Sequence, residues 1–153
     1  MILRKNLDNL KATERLAKII ASNIRGGEVI ELVSDVGGGK TTFTKFLVKA
    51  LGSDDNVNSP TFTVSRVYST PTKTIHHYDF YRLTDPQYVL QALQEQTQDS
   101  SSVTIIEWGG IVKNVLPTDR LIIKINKHPT KETARIMIFE VSAVHDYLLK
   151  GIE

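Results

Sequence analysis

The run Ser34-Asp35-Val36-Gly37-Gly38-Gly39-Lys40-Thr41 gathers the residue types that hold a triphosphate. Such a ligand needs backbone N–H groups converging on one concavity, a cation that reaches its terminal phosphates, and a hydroxyl for magnesium at a helix N-terminus. Gly37, Gly38 and Gly39 let the backbone wrap closely around oxygen atoms. Lys40 is placed to reach the β and γ phosphates, and the Thr41 hydroxyl to ligate the metal. Val36 and Thr42 flank this core and belong to the same expected nucleotide-contacting set. The phosphate-loop pattern asks for glycine at its first position, where this chain has Ser34, a change that alters the turn or its rigidity. The competing reading is a flexible glycine-rich connection. Its place after an apolar strand and before a phased helix favours the phosphate loop.

Two carboxylates close strand-like runs: Asp79 in Ile75-His76-His77-Tyr78-Asp79, and Glu107 in Val103-Thr104-Ile105-Ile106-Glu107. In an α/β sheet, ligands gather beyond the carboxyl ends of parallel strands, so either residue could serve magnesium or its water shell. Each is equally readable as a solvated strand end. Trp108 is either a shield for the nucleotide or a core or rim aromatic. His76 and His77 alternate across a strand and cannot jointly clamp one metal, so ordinary packing or hydrogen bonding is expected of them. No serine sits in a Gly-x-Ser-x-Gly elbow, which removes the support for a serine hydrolase.

These groups need elements to position them. Leu16, Ile19, Ile20 and Ile24 share one helical face of the run Leu10 to Ile24, which Gly26-Gly27 stops. Val29 to Val33 is a β-rich run leading into the glycine loop. Phe43, Phe46, Leu47, Ala50 and Leu51 recur at helical spacing after it, ending at Gly52. Phe62 to Tyr68 and Thr74 to Tyr81 read as a hairpin across Ser69-Thr70-Pro71-Thr72. Asp85 as N-cap with Pro86 at the first helical position opens a helix to about Gln96. Val103 to Glu107, Leu121 to Ile125 and Ala134 to Val141 supply further strands, and Ala143 to Leu149 a short closing helix. The order predicts a single domain over 1–153: a three-layer α/β fold, P-loop NTPase-like, with a mixed, partly parallel central sheet.

Composition sets the outer bounds. With 41% apolar and 24% charged residues, the 153-residue chain is of ordinary globular character. A formal charge of +2 is too small for the concentrated basic face of a phosphate-tracking protein, so strong direct nucleic-acid binding is not expected. Without cysteine there are no disulfides or thiolate sites, and four scattered histidines have no zinc-like spacing. The start of the chain lacks signal-peptide character and no run is long enough to span a membrane, which makes the cytoplasm the expected compartment.

Four separated segments together resemble one family: Ser34 to Phe43 (SDVGGGKTTF), Asn58 to Thr63 (NSPTFT), His77 to Leu83 (HYDFYRL) and Glu107-Trp108. The chain resembles the TsaE family, formerly YjeE, bacterial ATPases of tRNA threonylcarbamoyladenosine biosynthesis, from Thr13 to about Arg135. The resemblance implies an ATP- and magnesium-dependent protein. In it Thr41 and Glu107 hold the metal, Gly37 to Thr41 wrap the phosphates, Lys40, Asp79 and Glu107 form the catalytic set, and Trp108 lies beside them. Thr13 and Arg135 match positions that line the nucleotide, and Ser59-Pro60-Thr61 matches a switch-like loop. It also implies two partners, TsaD and TsaB, and a role in resetting their complex between cycles. The chain departs from the family pattern at Ser34, at Gly38 where alanine is usual, at Gly109, and at Gln91 to Ser102. Two other readings share the loop: a small-molecule or nucleoside kinase, and a nucleotide-dependent interaction module with negligible turnover. Against a kinase, the arginines 66, 82, 120 and 135 are dispersed and no lid-length insertion is evident.

Overall fold

In the computed structural model, which describes residues 1–58, 60 and 63–153, seven strands form one mixed sheet. In chain order these are β1 (Ile2–Leu7), β2 (Val29–Val33), β3 (Ser65–Ser69), β4 (Thr74–Asp79), β5 (Ser102–Glu107), β6 (Leu121–Lys127) and β7 (Arg135–Glu140). The helices are α1 (Leu10–Asn23), α2 (Lys40–Ala50) and α3 (Gln87–Thr97). Across the sheet the strands run β1-β7-β6-β2-β5-β4-β3. β2 pairs parallel with both β5 and β6, and β4 parallel with β5, whereas β3, β7 and β1 join antiparallel at the two sides. The expected partly parallel α/β sheet is what forms.

β5 is buried along its whole length, and β2 everywhere except its last residue, as central parallel strands are when both sheet faces are covered. On one face Leu16, Ile20, Phe43 and Leu47 of α1 and α2 pack on Ile30, Leu32, Ile75, Ile105 and Phe139. On the other, Leu93 of α3 packs with Val29, Tyr78, Ile106, Val112 and Leu116. Adjacent residues of one strand therefore feed opposite cores, Ile105 one and Ile106 the other.

Parallel register brings the functional ends of three strands to one edge. Leu32 of β2 pairs with Glu107 of β5, and Glu107 pairs with Asp79 of β4. The glycine loop, Asp79 and Glu107 thus leave the sheet side by side, at the carboxyl ends where α/β proteins bind ligands.

Several elements differ from the sequence reading. β1 was not anticipated; with Arg4, Lys5 and Asn6 it has weak strand character, and its antiparallel pairing with β7 holds it at the sheet edge. The closing segment is a 3-10 turn over Asp146–Leu149 rather than a helix from Ala143, its bonds running from residue i+3 to i, as from Leu148 N to His145 O at 3.0 Å. The start of α3 falls one residue later than expected, with Pro86 rather than Asp85 at the N-cap, φ −73°, and the Asp85 carboxylate accepting from Gln87 N at 3.0 Å. Ser59, Thr61 and Phe62, which the switch-like segment and the first hairpin strand include, lie outside the described residues.

Candidate nucleotide-binding site

The glycine loop turns β2 into α2. Gly38 N donates to Asp35 O at 3.0 Å, closing the turn, and Gly37 and Gly39 take φ of 73° and 113°, a region that residues with a Cβ enter at a cost. Gly39 stands at the N-cap of α2 and has no side chain with which to cap it, so the first N–H groups of the helix remain available to an anion. The loop and the helix start form a concavity of backbone N–H groups. The Lys40 ammonium is drawn back over it, donating to Ser34 O and Ser34 Oγ at 3.1 Å and to Asp35 O at 3.3 Å.

A cleft of about 370 Å³ opens at this loop. Val36, Gly37, Gly38, Gly39, Lys40, Thr41 and Thr42 form its floor, and Asp79, Tyr81, Glu107, Trp108 and Arg135 its walls. The structure therefore brings together every residue expected at the site except one. Thr13 does not line the cleft; it is buried in the first turn of α1, with its hydroxyl turned to Asn9 O at 3.5 Å. Arg135 is present by way of the loop backbone, donating from Nε to Gly38 O at 2.9 Å and from Nη1 to Glu132 O and Ala134 O. It braces the loop's shape from β7.

Trp108 stands at the rim of the cleft, 36% exposed. Its backbone is left-handed, φ 56° and ψ 47°, the one positive φ outside glycine among the described residues. Its ring stands 4.9 Å from that of Tyr81, and the Lys40 ammonium lies 4.6 Å from its centroid. A strained backbone at the mouth of a cleft, holding an aromatic face against a cation, is a feature that marks functional sites. Tyr81 was not singled out from the sequence, although it lies inside the His77 to Leu83 segment.

The two carboxylates are held differently. Asp79 accepts from Tyr81 N at 3.0 Å, which fixes the turn leaving β4. Glu107 is 1% exposed, and its Oε2 lies 2.7 Å from His77 Nε2. His77 Nδ1 lies in turn 3.0 Å from the Tyr68 hydroxyl. Burial pushes the Tyr68 hydroxyl above the ordinary tyrosine range and keeps it a proton donor. The histidines divide between the sheet faces as strand alternation requires, and burial lowers His76 below the usual histidine range. Hydrogen bonding was expected of His77; its partner, a site carboxylate, was not legible.

The family model for "Threonylcarbamoyl adenosine biosynthesis protein TsaE" matches residues 7–136. The chain belongs to the TsaE family. The tRNA threonylcarbamoyladenosine biosynthesis protein TsaE of Rickettsia felis is 33% identical over 131 residues, 85% of this chain and 75% of that protein. Its namesake in Bacillus subtilis is 37% identical over 119 residues, 78% of this chain and 74% of the other. Among solved structures, the crystal structure of Bacillus subtilis YdiB superposes with a TM-score of 0.76 at 26% identity, covering 98% of this chain and 93% of that one. Family membership places the chain in tRNA threonylcarbamoyladenosine biosynthesis. No helix among the described residues is long and apolar enough to cross a membrane.

Proposed function

We propose that the cleft binds ATP with magnesium and hydrolyses it, and that this TsaE-family chain acts as the ATPase that resets a TsaD-TsaB complex between cycles of tRNA modification. The observation that carries the reading is the convergence on one cleft of the Lys40 ammonium, the open N-terminus of α2 and the two strand-end carboxylates. The donor set fits the ligand: left-handed glycines at 37 and 39, a hydroxyl at Thr41, and a buried carboxylate opposite.

In this reading, loop N–H groups and Lys40 carry the charge of the β and γ phosphates, and Thr41 and Glu107 hold the metal. Magnesium, when bound, would neutralise charge on the phosphate oxygens. Asp79 orients the attacking water; the γ phosphate is transferred to that water, and ADP leaves. Trp108 and Tyr81 cover the mouth. The biosynthetic role that the family is named for supports the partner assignment and the cytoplasmic compartment.

The deciding experiment is reconstitution of tRNA modification with TsaD and TsaB, with and without this protein and ATP, beside phosphate release in the presence and absence of nucleosides. Multiple-turnover modification that requires this protein and ATP is expected. Phosphate transfer to a nucleoside would replace the proposal with a kinase, and ATP binding without turnover would replace it with a passive module.

A further inference from the structure

Tyr68, His77 and Glu107 lie diagonally across three adjacent strands on the face that α1 and α2 cover. Register explains the alignment. Tyr68 pairs with Ile75, and Asp79 pairs with Glu107, so 68, 75, 77, 79 and 107 share one side of the sheet. Tyr68, His77 and Glu107 are 2%, 0% and 1% exposed, so water does not compete for their hydrogen bonds.

The hydrogen positions follow from the donor inventory. An ionised Glu107 can only accept, so His77 Nε2 carries the proton between them. In the neutral ring Nδ1 is then an acceptor and takes the Tyr68 hydroxyl proton across 3.0 Å. The Asn58 carbonyl, 3.3 Å from the same hydroxyl, is a competing acceptor for its single proton and stands outside the line. The line therefore runs from the Tyr68 hydroxyl through His77 to the Glu107 carboxylate, and it holds the His77 ring in one orientation. A carboxylate with one oxygen held this way has its other oxygen directed as well.

We infer that His77 and Tyr68 are positioning residues that aim the Glu107 carboxylate into the cleft. The inference rests on the reading of Glu107 as a magnesium-side carboxylate. Neither residue touches the cleft itself; both act through Glu107. Partners of this kind, one hydrogen bond behind a ligating group, change metal affinity or activity by about 10- to 100-fold when removed. The Gly loop and Lys40 do not take part in the line, so nucleotide affinity without metal should be left alone.

The test uses the full chain and its only tryptophan, Trp108, at the mouth of the cleft. Magnesium is titrated into protein saturated with a non-hydrolysable ATP analogue, and the Trp108 fluorescence change gives the apparent metal affinity; kcat and KM for ATP are measured in parallel. For His77→Ala the expectation is a loss of roughly 10- to 100-fold in metal affinity and kcat, with KM for ATP and metal-free analogue affinity within about twofold. His77→Gln, whose amide can still donate to Glu107, should recover much of the loss. Tyr68→Phe keeps the ring and removes only the hydroxyl, so it preserves the fold if the alanine variant does not, and should show a smaller loss in the same quantities. A wild-type response that Tyr68→Phe and the folded His77 variants leave unchanged overturns the inference alone. A wild-type protein with no magnesium-dependent response overturns the site reading and the inference with it.

Discussion

Ser34 and Gly38 occupy complementary space in the glycine loop: a Cβ added at Gly38 would stand 2.4 Å from Ser34 Oγ and 2.7 Å from Ser34 Cβ. The two departures of this loop from the family pattern are thus one feature. Serine at the first position fills the volume that alanine at 38 would need, and in return its hydroxyl accepts from Lys40 at 3.1 Å. Gly38→Ala should therefore destabilise the loop by about 1–3 kcal/mol as an overpacked site. Adding Ser34→Gly should recover the part owed to the serine, with a coupling of about 0.5–3 kcal/mol between the two changes, while the Asp35 carbonyl, 2.9 Å from the same Cβ, keeps the rest of the cost. Urea unfolding of the four-member cycle, with ATP-analogue affinity alongside, measures the coupling; additive effects would show that the two positions do not compete for space.

Lys40→Ala removes the cation at the proposed phosphate site. Hydrogen bonds to charged groups contribute about 1.5–3 kcal/mol, so triphosphate affinity should fall roughly 10- to 100-fold. Calorimetric titration with ATP reads this directly. Unchanged affinity would remove the phosphate-loop reading.

Trp108 carries backbone strain that its ring contacts offset. At φ 56° a Cβ costs about 1–2 kcal/mol, a penalty glycine avoids. Replacing the ring by alanine loses the contacts with Tyr81 and Lys40 and keeps the strain; replacing it by glycine loses both. Trp108→Gly should therefore be about 1 kcal/mol more stable than Trp108→Ala by thermal unfolding, the difference being trimmed by the greater freedom of glycine in the unfolded chain. Both variants should bind nucleotide more weakly than wild type.

Acid stability should depend on Asp99, in the turn that launches β5 toward Glu107. Its carboxylate accepts from the Ser101 hydroxyl at 2.7 Å, from Ser101 N at 2.9 Å and from the Ser102 hydroxyl at 2.7 Å. These bonds, the Ser101 hydroxyl foremost, bring it down from 3.8 to about 2. Folding thus favours the ionised form. Its contribution is complete above pH 3.8 and is lost as pH falls through about 2, because the unfolded chain takes up the proton first. Asp99→Asn should flatten the pH dependence of unfolding in that window while leaving the difference between pH 6 and 7 unchanged.

The residues contiguous in the chain were legible without a structure. The loop from Val36 to Thr42 is a local object whose glycines, cation and hydroxyl act through their own backbone, so spacing alone identifies it. The helices α1, α2 and α3 and the central strands announce themselves through periodicity and caps. Asp79 and Glu107 could be read as strand ends, since that too is a local property.

What those strand ends face is decided by topology. Only the parallel order β2-β5-β4, with Glu107 in register with both Leu32 and Asp79, puts two carboxylates beside the loop rather than in solvent. The same holds for the His77 bond to Glu107, made between strands 30 residues apart in sequence, and for Arg135 reaching Gly38 across 97 residues. β1 is a strand because β7 presents a ladder to it, although its own residues argue weakly for one. Ser34 and Gly38 belong to one short loop, yet their fit depends on the turn the loop takes. Spacing along a chain records which groups are available; the register of strands and the path of the backbone set which of them meet.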